Sequence, residues 1–178
     1  MNAKDDITLL QHVQSLSRKE LGSEIKQLYR LFPSVQEYYQ SKLNSTGEGQ
    51  LLSKYKNIIT NEFMPARGFG KARLSVARKA MNDFYKLSKE KSNRAEMMVH
   101  YVEMGVQFTI EYGDIDEPFY SSMESMYDKA CNYVSTNNLE TIFLPRLKKI
   151  VDDTDGMGWG FHDTLTDIWS TYFPVHEN

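Results

Sequence analysis

The spacing of the apolar residues constrains the fold of this chain more than any other feature. Helix-breaking residues are scarce, with 10 Gly and 5 Pro among 178 residues. Between them the apolar side chains recur every three or four positions, which is the period of one face of an α-helix, whereas a half-buried strand has a period of two. No segment indicates a strand. The sequence therefore predicts an all-α protein.

Breakers and capping residues divide the sequence into eight or nine predicted helices. Ser17 and Glu20 have the spacing of a capping box, in which each side chain bonds a free N–H at a helix start. Pro33 suits a first helical turn, where its missing N–H would have no partner. Short connections make antiparallel neighbours the default. We predict one compact domain over residues 1–178, a bundle or a short helical-repeat-like stack, with helices at about 6–15, from 17, from 33, and at 48–63, 71–87, 92–113, 116–136, from 138, and 161–173.

A net charge of −3 hides an uneven distribution of charge. Residues 1–94 contain 17 Lys and Arg against 9 Asp and Glu, whereas residues 95–178 contain 4 against 15. On the predicted helix 71–87 the cations fall on one face. That face can bind an acidic protein partner, can neutralise nucleic-acid phosphates with release of counterions, or can simply be solvated. We call this candidate binding surface the basic surface; its residues are Lys71, Arg78, Lys86 and Lys89.

The predicted helix 92–113 is apolar around most of its circumference, which is typical of a buried central helix. A His with Glu residues one turn away can hold a metal ion. Helical di-iron proteins, however, need two Glu-x-x-His motifs, and here a single motif runs in the reverse order. We therefore predict no metal and no cofactor, and we expect these side chains to line a groove or face solvent. We call them the polar stripe: Glu96, His100, Glu103, Gln107 and Glu111.

The remaining candidates for chemistry are isolated. Cys131 lies mid-helix, where a lone Cys is typically a small core residue. His162 and Asp163 follow a glycine-rich turn and could do acid–base work, but we expect them to cap the last helix. Residues 67–71 lack the spacing of a phosphate-binding loop, and residues 152–156 have the wrong register for calcium. An enzyme or metal protein that uses Glu96, His100 and Glu103, or His162 and Asp163, stays a third hypothesis.

Three features favour a cytoplasmic protein. A single Cys rules out an internal disulfide, which fits a reducing compartment. No apolar run approaches the ~20 residues that span a bilayer. The first residues lack the apolar stretch of a signal peptide. We expect no membrane partner.

Several segments also resemble one family of small, uncharacterised, all-helical bacterial proteins, a domain of unknown function. The resemblance extends from about residue 16 to 173. It implies a complete compact unit of bacterial type, and it transfers no activity, cofactor or catalytic residue. The segments are 28–33, 37–39, 77–80 with Phe84, 101–106, 111–117 and 158–163.

The leading functional hypothesis is a non-enzymatic protein-interaction module that binds a protein partner or itself. It depends on the uneven distribution of charge between residues 1–94 and 95–178 and on the lack of a recognisable set of catalytic residues. The alternative is a nucleic-acid-associated protein that uses the basic helix at 71–89.

Overall fold

The computed structural model of this chain describes residues 3–44 and 46–174. In these residues it contains nine helices and no strand, so the all-α prediction is confirmed. The chain divides into two compact units, Met1–Gly47 (the first unit) and Glu48–Asn178 (the second unit); the single domain stays a prediction. The helices are α1 (Ala3–Ser15), α2 (Arg18–Leu31), α3 (Pro33–Leu43), α4 (Gly47–Phe63), α5 (Leu74–Leu87), α6 (Lys91–Tyr112), α7 (Glu117–Thr136), α8 (Glu140–Asp153) and α9 (Phe161–Tyr172).

In the first unit, α2 and α3 form a hairpin joined by a single residue, Phe32. The capping box at the start of α2 is confirmed. The Ser17 backbone N–H donates to a Glu20 carboxylate oxygen at 2.8 Å, and the Glu20 N–H donates to the Ser17 hydroxyl at 3.3 Å. Pro33 occupies the first position of α3, as predicted. Local sequence therefore determines both helix starts.

The hairpin buries little of its own surface. α2 has no buried residue, and α3 buries only Ser41, whose hydroxyl donates to the Tyr38 carbonyl at 2.9 Å. Tyr29 and Tyr39 make an edge-to-face contact across the hairpin, with ring centroids 6.3 Å apart. Aromatic contacts of this kind hold the two helices together without covering their apolar faces.

In the second unit, α6 is the central helix, as its composition predicts. Ten of its residues are buried, and it packs against α5, α7 and α8, while α9 packs on α7 and α8. Gly105 allows the close approach of α6 and α7, because a Cβ there would lie 2.2 Å from the Met123 sulfur. The core therefore forms around one helix that is apolar over most of its circumference.

α5 begins at Leu74, three residues later than predicted. The reason lies in the end of α4, where the Glu62 carbonyl accepts the backbone N–H groups of Lys71 at 2.9 Å and Ala72 at 3.0 Å. Ala72 has a φ of +46°, a left-handed conformation that interrupts a right-handed helix. The segment before Leu74 is thus held to α4 and does not belong to α5.

Ser92, at the predicted start of this helix, does not cap α6. α6 begins at Lys91, one residue before Ser92, and its N-cap Glu90 makes no side-chain capping bond. The Ser88 hydroxyl accepts the Glu90 N–H instead, at 3.3 Å. A Ser four residues earlier therefore directs the chain into the helix.

Asn138 does not begin α8; it ends α7. Its N–H donates to the Ser135 carbonyl at 3.3 Å, and the Leu139 N–H donates to the Val134 carbonyl at 3.0 Å. With Asn138 at a φ of +56°, these bonds form the left-handed closure that commonly ends helices, at a residue type that tolerates it. α8 then runs from Glu140 through Pro145 without a break.

No helix in the described part of the chain is both long enough and apolar enough to cross a membrane.

Candidate functional site

The four cations of the basic surface are all exposed, but they do not share one helical face. Arg78 and Lys86 lie on α5, whereas Lys71 precedes the helix and Lys89 follows it. The predicted geometry is wrong because the segment around Lys71 is bonded to the end of α4. The positive charge is therefore spread over a helix and two flanking segments.

A carboxylate of α5 also neutralises part of this surface. Asp83 accepts hydrogen bonds from Lys79 and from Lys86, whose Nζ lies 2.8 Å from Oδ1. The hydrogen bond from Lys79 has the largest effect and lowers the pKa of Asp83, and the hydrogen bond from Lys86 lowers it further. Lys86 is thus already paired, whereas the Arg78 Nε donates only to the Leu74 carbonyl, at 3.3 Å. Arg78 keeps most of its donors for another acceptor.

The polar stripe of α6 is paired with cations of its own unit. The Arg146 guanidinium on α8 donates twice to Glu103, at 2.7 Å in each bond, and also bonds Glu96. Lys56 on α4 bonds Glu96 from the other side. Burial acts to raise the pKa of Glu96, but the bonds from Arg146 and Lys56 outweigh it, and the pKa is lowered. These ion pairs join α4, α6 and α8.

His100 is a core residue that connects α6 to α4. Its Nε2 lies 2.9 Å from the Thr60 hydroxyl and 3.3 Å from the Lys56 carbonyl, and Nδ1 lies 3.9 Å from Glu103. Burial lowers the pKa of His100, because the charged imidazolium loses hydration. The described residues contain no group of three His, Cys, Asp or Glu that could hold a metal ion.

The C-terminal part of the polar stripe is more open. Glu103 and Gln107 line a depression of about 180 Å³ beside α8, whose Lys149 there pairs with Asp153 at 2.6 Å. Glu111 is exposed at the end of α6. The structure thus brings Glu96, His100 and Glu103 into one bonded cluster and leaves Glu111 outside it.

His162 and Asp163 do not cap α9, because Gly160 precedes the helix at a φ of +68° and no side chain caps it. The His162 Nδ1 instead lies 3.1 Å from both the Thr154 hydroxyl and the Val151 carbonyl. His162 therefore connects the end of α8 to the start of α9, while Asp163 is exposed.

Cys131 is buried in α7, as predicted for a small core residue. Burial raises the pKa of its thiol to about 12. A thiol with this pKa is almost fully protonated near neutral pH, and the protonated form is a poor nucleophile. The geometry therefore gives Cys131 a packing role.

The sequence patterns did not indicate the groove between α2 and α3 of the first unit. It has a volume of about 390 Å³. None of its lining residues is a carboxylate, and neither of its cations forms an ion pair with the described side chains. The sequence signal for it is the apolar face of the helix after Ser17, formed by Leu21, Ile25 and Leu28, but helical periodicity does not say what packs on such a face. The groove is lined by apolar Ile25, Tyr29, Tyr39 and Leu43 and by polar Lys26, Arg30, Gln40 and Asn44.

The sequence patterns also did not indicate the role of Arg146. Only four Lys and Arg follow residue 94, so few cations in that part of the chain can pair with the Glu residues of α6. Its position on α8 opposite α6 depends on tertiary packing, which periodicity does not reveal.

A family model matches residues 2–173 of the chain and is described as a family of unknown function (DUF6155). The chain belongs to DUF6155. The match covers most of both units, so the residues of the α2–α3 groove, the basic surface and the polar stripe all lie within the matched region. Searches of the curated proteins and of the solved structures found no match. Membership of DUF6155 therefore brings no activity with it.

Proposed function

We propose that this chain is a non-enzymatic protein-interaction module and that the first unit carries the binding face. The observation that carries this proposal is that α2, a helix with one apolar face, has no buried residue. Leu31 at its end is 60% exposed, and Leu43 at the end of α3 is 75% exposed. Leu43 also lines the groove between α2 and α3 together with Ile25, Tyr29 and Tyr39, and an apolar groove of this kind is typical of interaction sites.

The groove between α2 and α3 fits a helical segment of a partner protein. Its apolar residues can take the apolar face of an amphipathic helix, a common mode of peptide recognition. Lys26 and Arg30 on α2 supply positive charge beside that face with no carboxylate among the lining residues. Opposite charge favours the correct partner and speeds encounter. The proposed partner helix therefore carries Asp or Glu beside its apolar stripe.

Selection from a displayed library of about 20-residue helical peptides tests the proposal without a known partner. We expect enriched peptides to have apolar residues at i, i+3, i+4 and i+7 with flanking carboxylates. Leu43→Glu, at an exposed position, should abolish their binding, because it places a charge in the groove. The matched control, Lys89→Glu on the second unit, should leave binding unchanged. Peptides that bind the Leu43→Glu variant equally well, or no enrichment, would overturn the proposal.

The second candidate function is nucleic-acid association through the basic surface. It is supported by the exposure of Lys71, Arg78 and Lys89, and it is weakened by the pairing of Lys86 with Asp83. Binding through such cations should fall steeply with salt. Fluorescence anisotropy with single-stranded and duplex oligonucleotides checks this, and no detectable binding at low salt would exclude it.

A further inference from the structure

The second unit has a separate groove on the side of α6 that lies between α5 and α7. The groove has a volume of about 260 Å³ and includes residues of all three helices. α6 contributes Met98 to it, α5 contributes Met81 and Tyr85, and α7 contributes Met126. α8, which pairs with the polar stripe, contributes nothing to its lining.

The apolar part of this groove is made mainly of methionine. Met81 is buried, and Met98 and Met126 are half-buried. Methionine side chains are flexible and polarizable, so they adapt to apolar ligands of different shapes. Tyr85 adds a half-buried ring whose face is in contact with the Arg94 guanidinium, 5.2 Å from the ring centroid. Such a groove can take an apolar chain or ring.

The polar part of the groove is cationic. It consists of Arg78 and Asn82 on α5 and Lys129 on α7, with no carboxylate among the lining residues. Asp83, the acidic neighbour of Asn82, is occupied by Lys79 and Lys86. Neither Arg78 nor Lys129 forms an ion pair within the described part of the chain. The groove therefore combines an apolar floor with uncompensated positive charge.

We propose that this methionine-lined groove binds a small amphiphilic carboxylate, a molecule with a short apolar body and one carboxylate group. The Arg78 guanidinium, whose planar fork matches a carboxylate, binds the anionic end, and Lys129 adds positive charge. The methionines bury the apolar end. A volume near 260 Å³ is at the small end of ligand pockets, which favours a small molecule over a protein segment.

Methyl NMR with octanoate as the probe tests this site. In protein labelled at the methionine methyl groups, we expect saturable shifts at Met81, Met98 and Met126. Octylamine, which has the same chain and the opposite charge, should bind at least tenfold more weakly. Arg78→Met should weaken octanoate binding about tenfold, because it removes the charged hydrogen bonds, and Lys129→Met should weaken it less. Lys148→Met on α8, which contributes nothing to the groove, removes an exposed cation in the same way and is the control; it should leave affinity unchanged.

Three results would overturn the proposal: no saturable shift with octanoate, equal affinity for octylamine, or shifts confined to other methionines. The site is also independent of the proposed partner groove. Leu43→Glu in the first unit should leave octanoate binding unchanged, so failure of one proposal is distinguishable from failure of the other. Because Arg78, Lys129 and Lys148 are exposed, their substitution should leave the fold intact, which circular dichroism checks.

Discussion

The two units of this chain differ in how far their apolar side chains are buried. In the second unit, α4, α6 and α9 bury their apolar faces in a common core, with Phe63, Tyr101 and Phe161 fully buried. In the first unit, α2 buries none of its residues, and Leu31 is 60% exposed. Both units consist of regular α-helices, so the difference lies in tertiary packing and not in local structure.

The polar residues show the same contrast. In the second unit, Glu96 and Glu103 share Arg146, and His100 bonds Thr60. In the first unit, Lys26 and Arg30 stand beside an apolar groove without an ion pair among the described side chains. The second unit thus pairs Glu96 and Glu103 of its polar stripe internally, whereas the first presents exposed apolar side chains and these two cations along one helix pair. That combination makes the first unit the better candidate for binding a partner.

The largest expected effect is at the core of the second unit. Leu147→Ala removes a fully buried side chain and should lower the free energy of unfolding by about 2–5 kcal/mol, through lost burial and a residual cavity. Urea unfolding followed by circular dichroism measures this loss. A loss below about 1 kcal/mol would remove the contrast between the units.

The ion pairs that join α4, α6 and α8 should contribute less to the free energy of unfolding than the core does. Arg146→Met leaves Glu103 without its bonded cation and should cost about 2 kcal/mol, reduced by partial exposure of the guanidinium. The matched control on the same helix is Lys149→Met, which removes an exposed pair with Asp153 and should cost about 0.5 kcal/mol or less. Equal losses of stability in urea unfolding would show that the ion pairs of Arg146 contribute no more to stability than an exposed surface pair.

The burial of His100 should make stability depend on pH. Because its pKa is lowered in the folded protein, the unfolded chain binds more protons near and below pH 6.5, and stability should fall as pH decreases through that range. One such group contributes at most about 1.4 kcal/mol per pH unit. His100→Gln should flatten this dependence between pH 7 and 5 in urea titrations. The same slope in both proteins would contradict a buried neutral imidazole.

The smallest expected effect is in the first unit. Leu31→Ala should change the free energy of unfolding by no more than about 0.5 kcal/mol, because the side chain is mostly exposed in the folded state. The same substitution should reduce binding of peptides selected on the groove if the apolar face extends to Leu31. A stability loss like that of Leu147→Ala would show that a covering element buries this residue.

Features encoded by neighbouring residues could be predicted from the sequence. The Ser17 capping box, the start of α3 at Pro33 and the buried character of α6 follow from spacing and composition. These patterns depend on interactions within one helix or on one helical face. The all-α fold class could be predicted for the same reason.

Features that depend on contacts distant in sequence could not be predicted. The late start of α5 follows from the bonds of Lys71 and Ala72 to Glu62, and the pairing of the polar stripe follows from Arg146, which is 43 residues from Glu103. Asn138 was ambiguous because Asn favours both helix starts and left-handed helix ends. The periodicity of α2 also predicts its apolar face without indicating whether another element covers it.

The burial of Cys131 makes the protein convenient to label. With the pKa of its only thiol raised to about 12, the native chain should react slowly with maleimides, since thiolate is the reactive form. A cysteine introduced at exposed Leu31 would then be the single fast-reacting site. A fluorophore attached there would report a ligand arriving at the first unit against almost no background.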